Sequence, residues 1–518
     1  MHALRSICFA IAGCFIGILP IYAATGIDTV QTEAGLVSGI KNQAEEITIF
    51  KGIPFAAPPV GELRWKAPQP TEPWSGVRAA DAFGPSPMQG EPAPFSMWSE
   101  EFLIPKEPID EDCLYLNVWT GASDATEKRP VLVWIYGGGF ASGGSGVPIY
   151  DGEAMAEKGI VFVSINYRVG IFGFFAYPEL TQESEYNVSG NYGLMDQIAA
   201  LQWVQDNIAA FGGDPENVTI AGQSAGSMSV NCLVASPLAK GLFQKAIAQS
   251  GASFSRRSAS LEQAEQEGKR IAKDLNASSL ADLRELPADT LLKNPSGLRG
   301  PIVDGYVLPD HIADIFAEGQ QNKVALLTGW NQDEGLTFGS IKNAAEFRQQ
   351  AEEQYGADAD QFLQFYPANN DSVAADSQLA LGRDMIFGVQ NYTWANVQSE
   401  QEYASVYVYR FARKVPATGE YVKYGAFHTG EVPYAYDNLK FVDRPWEPVD
   451  RELANTMSSY WANFIRTGDP NGKDVPQWPA YTSQNKEIMV LGKETEAEPL
   501  PDKAALDFLY STMMESNN

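Results

Sequence analysis

The first candidate for chemistry is a serine between small residues, in the segment Gly222–Gly226 (Gly-Gln-Ser-Ala-Gly). The segment follows a β-rich run, Val218–Ile220, and precedes Ser227–Val234, which we predict to be helical. A sharp strand-to-helix turn needs small neighbours because the chain passes close to itself, and it lifts the serine hydroxyl above the sheet edge. The pattern is typical of a serine nucleophile at Ser224, although a tight structural turn stays open on these five residues alone.

A second group, Tyr136–Phe140, contains three consecutive glycines directly after an apolar run. Glycines leave backbone N–H groups unobstructed, and several such groups facing one point can hold the oxyanion of a tetrahedral intermediate. A flexible turn is the alternative. Three glycines after a buried strand cost conformational entropy, however, which favours a close approach of the backbone to a ligand.

A serine hydroxyl is a poor nucleophile without a base, and histidine is the usual base near neutral pH. The chain has three histidines, of which His2 falls in an N-terminal segment that we expect to be removed. His311 lies near the start of a short acidic helix, where a surface or capping role is typical. His428 lies in Gly425–Gly430, in a loop after the predicted strand Ser405–Phe411, and is the second candidate.

Short apolar runs predict the strands that position these groups, and such continuous runs suit a sheet buried on both faces. The runs are 131–136, 161–165, 218–220, 246–248 and 324–327. Between them, apolar residues at helical spacing predict a helix over 193–210 with one apolar face. That face holds Leu194, Ile198, Leu201, Val204 and Ile208.

Alternating strands and helices predict an α/β fold with a mostly parallel central sheet flanked by helices. Residues 340–400 are richer in Ala, Gln, Glu and Asp, which indicates surface helices inserted late in the sheet order as a lid or subdomain. The chain shows no internal repeat, low-complexity tract or proline-rich linker. We therefore expect residues 25–518 to form a single domain.

The N-terminus has the features of a secretory signal peptide. Arg5 precedes an apolar run, Ile7–Ile21, and Tyr22–Ala24 supplies small residues for cleavage. The run is shorter than the roughly 20 residues that span a bilayer, so we predict removal of residues 1–24 and a secreted or periplasmic protein. A lipoprotein cleavage box ending at Cys14 is the alternative, but the apolar run continues past this residue. No later segment has the composition that predicts a membrane-spanning helix.

Composition excludes other classes. With 37 Lys and Arg against 65 Asp and Glu, the net charge of −28 argues against a nucleic-acid partner. Four cysteines in 518 residues exclude a disulfide scaffold. Three histidines leave little material for a multi-histidine metal site, and we predict neither a metal nor a cofactor.

Long, ordered segments distributed along the chain carry a family resemblance. The segments are Lys51–Gly61, Glu111–Val118, Asn166–Gly170, Gly190–Leu194, Phe211–Gly226, Gln249–Gly251, Gly329–Gly335 and Arg466–Asn471. They resemble the type-B carboxylesterase/cholinesterase family, whose serine signature is similar to Phe211–Gly226 and whose second signature is similar to Glu111–Val118. The resemblance covers roughly residues 28–495 and implies the α/β-hydrolase fold.

The resemblance also implies roles for individual residues. It assigns the nucleophile to Ser224, the base to His428 and the acid that orients the base to Glu334, with Asp333 as the alternative acid. The chain order nucleophile, acid, base is that of the α/β-hydrolases.

Further residues of the site follow from the same resemblance. The N–H groups of Gly138, Gly139 and Ala225 are implied as oxyanion donors. Ser250 resembles a serine that lies near the acid–base pair, although an ordinary serine at a strand end fits as well.

The chain departs from the family pattern in two places, one concerning each of the two signatures. Many relatives carry Glu where this chain has Gln223, so a carboxylate beside the nucleophile is lost. The family often pairs the cysteine that corresponds to Cys113 with an upstream cysteine, but the upstream segment here holds Met88 and no cysteine. We therefore expect Cys113 and Cys232 to be free thiols.

The expected function is that of a serine carboxylesterase that hydrolyses small-molecule esters through an acyl-enzyme intermediate. A specialised cholinesterase, lipase, amidase or detoxifying hydrolase is one alternative, since the same triad serves all of these. A non-catalytic, cholinesterase-like binding protein is another. Trp98, Phe140 and Phe338 are candidate pocket residues, although each such aromatic is more often part of a core.

Overall fold

The structure, a computed structural model, describes residues 27–516 except 257, 294–299, 336–339, 402 and 404. The strands within this range are β1 (Thr29–Gln31), β2 (Leu36–Ser38), β3 (Ile40–Lys41), β4 (Thr48–Pro54), β5 (Val77–Ala79), β6 (Ser86–Pro87), β7 (Ile109–Asp110), β8 (Tyr115–Thr120), β9 (Arg129–Ile135), β10 (Val161–Ile165), β11 (Gly213–Gln223), β12 (Lys245–Gln249), β13 (Ala325–Asn331), β14 (Val406–Phe411), β15 (Glu487–Leu491) and β16 (Thr495–Pro499).

Eleven of these strands form the central sheet, in the order β16-β15-β14-β13-β12-β11-β9-β10-β8-β4-β3. The strands from β10 to β15 in this order pair in parallel, whereas both edges of the sheet are antiparallel. Parallel strands place their carboxyl ends at one edge of the sheet, and ligands of open α/β sheets bind at that edge. The predicted mostly parallel sheet is confirmed.

The α-helices are α1 (Glu153–Glu157), α2 (Gly170–Phe174), α3 (Pro178–Glu183), α4 (Tyr192–Asn207), α5 (Ala225–Ala235), α6 (Leu261–Asp274), α7 (Leu280–Glu285), α8 (Ala288–Leu292), α9 (Ile312–Ala317), α10 (Ala344–Tyr355), α11 (Ala359–Phe365), α12 (Asp371–Arg383), α13 (Val389–Ser399), α14 (Val432–Ala435), α15 (Pro448–Thr467) and α16 (Lys503–Ser516). A π-helical turn, Asp384–Gly388, joins α12 to α13.

The predicted strands and the predicted helix over 193–210 correspond to observed elements. The run 161–165 is β10 with both ends as predicted, and all five of its residues are buried. The predicted helix is α4, which ends three residues early at Asn207 and continues as a 3-10 turn, Ile208–Phe211. Gly212, at φ 80°, ends this turn in the left-handed conformation that glycine adopts without strain.

The region 340–400 is helical, as predicted, but its last helix is not a surface element. The region holds α10, α11, α12 and α13 between β13 and β14. In α13, most residues from Val389 to Gln398 are buried, because the helix packs against strands β13 and β14. Polar residues such as Gln390 and Asn391 gave this segment a surface-like composition. Their side chains are instead hydrogen-bonded in the interior, so the expectation of surface helices is wrong for α13.

The two cysteines in the described range, Cys113 and Cys232, are buried and free, as the sequence predicted. Burial raises the pKa of both thiols, which disfavours the reactive thiolate form. Among the described residues, none of the helices combines the length and apolar character that crossing a bilayer requires.

Candidate active site

Ser224 lies at a sharp turn between β11 and α5, at the carboxyl edge of the sheet. Its backbone φ of 58° and ψ of −123° belong to a sparsely populated region, which marks a strained turn. A Cβ on Gly226 would overlap the carbonyl oxygens of Ile135 and Tyr136, so only glycine allows the first turn of α5 to pack against the end of β9. The predicted strand–serine–helix turn is therefore present.

The glycine segment Gly137–Gly139 follows β9 and faces the same edge. Gly138, at φ 111°, could not carry a side chain, because a Cβ would overlap the Ser142 carbonyl. Within the described residues, the N–H groups of Gly138, Gly139 and Ala225 have no hydrogen-bond acceptor. Free N–H groups beside a serine hydroxyl can donate hydrogen bonds to an oxyanion and so stabilise its charge.

His428 and Glu334 meet in the interior although 94 residues separate them. His428 Nδ1 lies 2.7 Å from Glu334 Oε2, and the two side chains are 4% and 0% exposed. Glu334 Oε1 accepts a 2.7 Å hydrogen bond from the Asn331 backbone N–H at the end of β13. Because a carboxylate only accepts, the neutral imidazole that makes this contact carries its proton on Nδ1, which leaves the lone pair on Nε2.

Asp333, the alternative acid, has a different position. Its carboxylate accepts a 2.8 Å hydrogen bond from the Ala426 backbone N–H and so holds the chain two residues before His428. In the described structure the imidazole contacts Glu334 and not Asp333.

A second buried carboxylic acid, Glu431, lies behind this pair. Asn331 Nδ2 donates to it at 2.5 Å, and Gln249 Nε2 donates at 3.2 Å. Burial, and next the charge of Glu334, raise the pKa of Glu431 to about 7. Glu431 was not predicted from the sequence, where its one signal is a lone acid directly before the largely apolar run Val432–Tyr436.

Ser224 and His428 are not hydrogen-bonded to each other in the described structure, but both line the same cavity. Beside them, Gln223 Nε2 lies 3.2 Å from His428 Nε2. The Phe387 ring, from the π-helical turn, stacks on the imidazole with ring centroids 4.4 Å apart. The sequence analysis missed Phe387 as well, because nothing in the local sequence indicates that this turn reaches the histidine.

The cavity has a volume of about 460 Å³. Its lining includes Gly137–Gly139, Ser224 and His428. A further part of the lining comes from the wall segment, residues 89–104, which contributes Gln89, Gly90, Glu91, Pro92, Ala93, Phe95, Trp98, Phe102, Leu103 and Ile104. Mostly apolar walls around a few polar groups are typical of sites for small organic molecules.

The structure separates the three predicted pocket residues. Trp98 lines the cavity. Phe140 does not: it is 6% exposed and packs edge-on against Phe174, with centroids 5.3 Å apart, so its prediction as a pocket residue is corrected to a core position. Phe338 lies outside the described residues.

Among the described residues, neither Ser250 nor His311 makes a side-chain hydrogen bond to the imidazole or to Glu334. Ser250, at φ 53°, is fully buried, and its hydroxyl has no hydrogen-bond partner among the described residues. His311 precedes α9 at the N-cap position without a side-chain capping bond. In the described part of the chain, no group of three or more His, Cys, Asp or Glu side chains is arranged to hold a metal ion.

Comparison with known proteins identifies the family of the chain. The model of the family described as "Carboxylesterase family" matches residues 27–509. The chain is 37% identical to the fumonisin B1 esterase of Sphingopyxis macrogoltabida, with 89% of this chain and 86% of that protein covered. It is 36% identical to the para-nitrobenzyl esterase of Bacillus subtilis (strain 168), with 94% and 99% covered.

The fold is also that of a solved esterase. A structure titled PNB esterase superposes with a TM-score of 0.80 at 34% identity, covering 93% of this chain and 99% of that one. The family match over nearly the whole described chain and these relatives show that the protein belongs to the carboxylesterase family, as a carboxylic ester hydrolase with the α/β-hydrolase fold.

Proposed function

We propose that Ser224, His428 and Glu334 are the catalytic triad of this esterase. The observation that carries the proposal is the 2.7 Å contact between His428 Nδ1 and Glu334 Oε2, at a cavity that also exposes Ser224 and the glycine segment. Glu334 fixes the tautomer in which Nε2 can take a proton, and it stabilises the imidazolium once formed.

In the acylation half, Ser224 Oγ attacks the ester carbonyl carbon while His428 Nε2 takes the hydroxyl proton. The carbonyl electron pair moves to oxygen, and the N–H groups of Gly138, Gly139 and Ala225 hold that oxyanion. The intermediate then collapses, the bond to the alcohol oxygen breaks, and the imidazolium gives its proton to the leaving alkoxide.

In the deacylation half, water attacks the acyl carbon while His428 Nε2 takes one of its protons. Collapse of the second tetrahedral intermediate breaks the bond to Ser224 Oγ, which recovers a proton from the imidazolium. The products are the free acid and the alcohol, and the enzyme is restored.

The substrate that we propose is a small, uncharged ester with apolar groups. Among the described residues that line the cavity, Glu91 is the one acidic side chain, and none is a lysine or arginine. An anionic ester would therefore meet a carboxyl group and neither of these cations in the lining, on a chain of net charge −28. The relatives named as a fumonisin B1 esterase and a para-nitrobenzyl esterase support a small-molecule ester as the substrate.

We further propose that the protein is exported, on the evidence of the predicted signal peptide in residues 1–24. This segment and Cys14 lie outside the described residues. Intact-mass measurement of the protein from the culture medium or periplasm tests this proposal. A mass equal to that of a chain beginning near residue 25 supports cleavage there. A mass equal to that of a chain beginning at an acylated Cys14 identifies a lipoprotein.

The triad is tested with Ser224→Ala and a fluorophosphonate probe that labels activated serines. We expect no labelling and no turnover of p-nitrophenyl butyrate. Retained labelling would refute the assignment of Ser224.

A panel of esters of graded acyl length, with a choline ester and an anionic hemisuccinate included, tests the substrate proposal. A preference for the hemisuccinate over its neutral counterpart of equal length would contradict it.

A further inference from the structure

Thr429, the residue after His428, has a backbone conformation that its side chain disfavours. Its φ is 81°, in the left-handed region that favours glycine. For a β-branched residue this conformation is an outlier, and such strain persists only where the surroundings impose it. Thr429 is 6% exposed and lines the cavity. The contacts of the threonine side chain therefore have to account for this conformation.

The Thr429 hydroxyl links two side chains from distant parts of the chain. Its Oγ1 accepts a 3.1 Å hydrogen bond from the indole N–H of Trp98 in the wall segment. It donates a 3.3 Å hydrogen bond to Gln223 Oε1, beside the nucleophile. The threonine therefore connects the cavity wall to the nucleophile turn.

The chemistry of the three groups gives this chain of hydrogen bonds one direction. An indole N–H can only donate, so the hydroxyl oxygen accepts from Trp98 and has its own proton to give. In the structure this proton goes to Gln223 Oε1, so the amide has its oxygen toward Thr429. The amide nitrogen is consequently directed toward His428.

The Gln223 nitrogen lies 3.2 Å from His428 Nε2 and 3.4 Å from Nδ1. Near-equal distances to both ring nitrogens place it over the imidazole face and off the Nε2 lone-pair axis. An N–H over an electron-rich ring face is favourable, whereas a carbonyl oxygen there would be repelled. The amide thus restrains the tilt of the ring and leaves Nε2 free for the serine proton.

We propose that Thr429 is a positioning residue for the catalytic base. Its hydroxyl orients the Gln223 amide against the His428 ring and ties that orientation to Trp98 in the cavity wall. The inference rests on the proposed role of His428. It explains why a strained threonine occupies a position where glycine would fit without strain.

The test compares Thr429→Val, which keeps the shape and removes the hydroxyl, with Thr429→Ser, which keeps the hydroxyl. We expect kcat to fall about three- to tenfold in the valine variant, in line with the loss of one hydrogen bond, with KM changed less than twofold. The serine variant should stay within about twofold of wild type. A valine variant with wild-type kcat, or a serine variant as impaired as valine, overturns the proposal.

Thr429→Gly separates positioning from stability. Glycine relieves the backbone strain, so the melting temperature should stay at the wild-type value or rise while kcat falls as in the valine variant. Asn187→Gly is the matched control, because Asn187 has a φ of 56° and is exposed away from the cavity. That change should leave kcat unaltered. Wild-type kcat in Thr429→Gly contradicts the proposal even if the valine variant fails to fold.

A double-mutant cycle with Trp98→Phe tests the link to the wall. Trp98→Phe removes the indole N–H, and its effect on kcat should not add to that of Thr429→Val, since both break one chain of hydrogen bonds. Full additivity overturns the link between Thr429 and Trp98.

The outcomes also separate this inference from the proposed triad. If Ser224→Ala retains activity, the proposed triad fails and this inference with it. If Ser224→Ala is inactive but Thr429→Val behaves as wild type, only this inference fails.

Discussion

The two sides of the active site are held in place by different means. On the nucleophile side, Ser224 is fixed by the backbone: β11 pairs with β9 and β12, and α5 begins at the next residue. On the base side, His428 lies in an irregular segment, 425–431, that belongs to no strand. Side chains from several separate parts of the chain hold it.

The contacts of the base side show how dispersed these parts are. Glu334 binds the ring nitrogen, and Asp333 binds the backbone two residues earlier. Asn331 Nδ2 donates to the Phe427 carbonyl at 2.8 Å. Phe387 stacks on the ring, and the guanidinium of Arg444 lies 5.1 Å from the centre of the Phe427 ring.

This difference implies different failure modes. A substitution at the glycines of the nucleophile turn must disturb the backbone of the central sheet, so it should lower stability together with activity. Substitutions on the base side remove single contacts around a ring that others still hold, so they should change rate or pH response with smaller losses of stability.

The largest expected effect is on the base itself. His428→Ala should lower kcat by about 10⁴- to 10⁶-fold, since the loss of a triad member removes the whole proton-transfer step. His311→Ala is the control, because this histidine lies at the start of α9, outside the cavity. Steady-state hydrolysis of p-nitrophenyl butyrate by the two variants decides the matter. Loss of activity in His311→Ala would contradict the assignment.

The backbone-held side can be broken at Gly226. A Cβ there would overlap two main-chain carbonyls that the sheet holds fixed, so Gly226→Ala should cost about 3 kcal/mol or more of unfolding free energy, as severe overpacking does. Gly492→Ala is the control, since its Cβ would be 3.5 Å from the nearest backbone oxygen. Urea denaturation measures both. A Gly226→Ala protein as stable as Gly492→Ala would show that the turn is less rigid than the structure indicates.

Glu431 gives the base side a dependence on pH. Its pKa, raised to about 7 from an ordinary 4.5, means that the folded state binds a proton more tightly than the unfolded chain. Its contribution to stability is therefore greatest below about pH 4.5 and is lost as the pH rises through about 7. Glu431→Gln removes this dependence.

Relative to wild type, Glu431→Gln should gain about 1–3 kcal/mol of unfolding free energy between pH 5 and pH 8. Denaturation at the two pH values measures the change. Glu262→Gln, on the exposed side of α6, is the control and should show no such gain. An equal difference from wild type at both pH values in Glu431→Gln would refute the assigned protonation.

The smallest expected effect concerns the ring that stacks on the base. Phe387→Leu keeps an apolar side chain but loses the aromatic face, and it should lower kcat about three- to tenfold, as stacking energies indicate. Phe362→Leu is the control, since it makes the same change in a buried aromatic cluster that does not include the imidazole. Both variants should lose a similar, small amount of melting temperature, but Phe362→Leu should leave kcat intact. Equal kcat in the two variants would show that Phe387 serves packing only.

The same contrast explains which parts of the site could be predicted from the sequence. Ser224 and the glycine segment lie where short apolar strands end, and local patterns mark both. His428 was distinguished from His311 by family resemblance, since neither neighbourhood carries a periodic pattern. Phe140 illustrates the opposite error, because an aromatic next to the glycines turned inward to contact Phe174.

The helical region before β14 shows the limit of composition as a guide. Gln390 and Asn391 belong to a segment whose polar content indicated a surface, yet both are buried. The Gln390 amide oxygen accepts from the Phe254 backbone N–H, and the Asn391 amide nitrogen donates to Thr328 Oγ1. Buried amides are stable when partners satisfy them, and those partners come from residues far away in the chain.

The sequence by itself determined the parallel α/β sheet, the strand–serine–helix turn and the glycine segment, because each depends on residues within a few positions of one another. Only the tertiary structure decided what surrounds the base: Glu334 rather than Asp333 at the ring nitrogen, Glu431 behind it, and Thr429 between Trp98 and Gln223. These contacts join residues up to 331 positions apart. Such distances in the chain are closed by the packing of the whole sheet, and no local pattern encodes them.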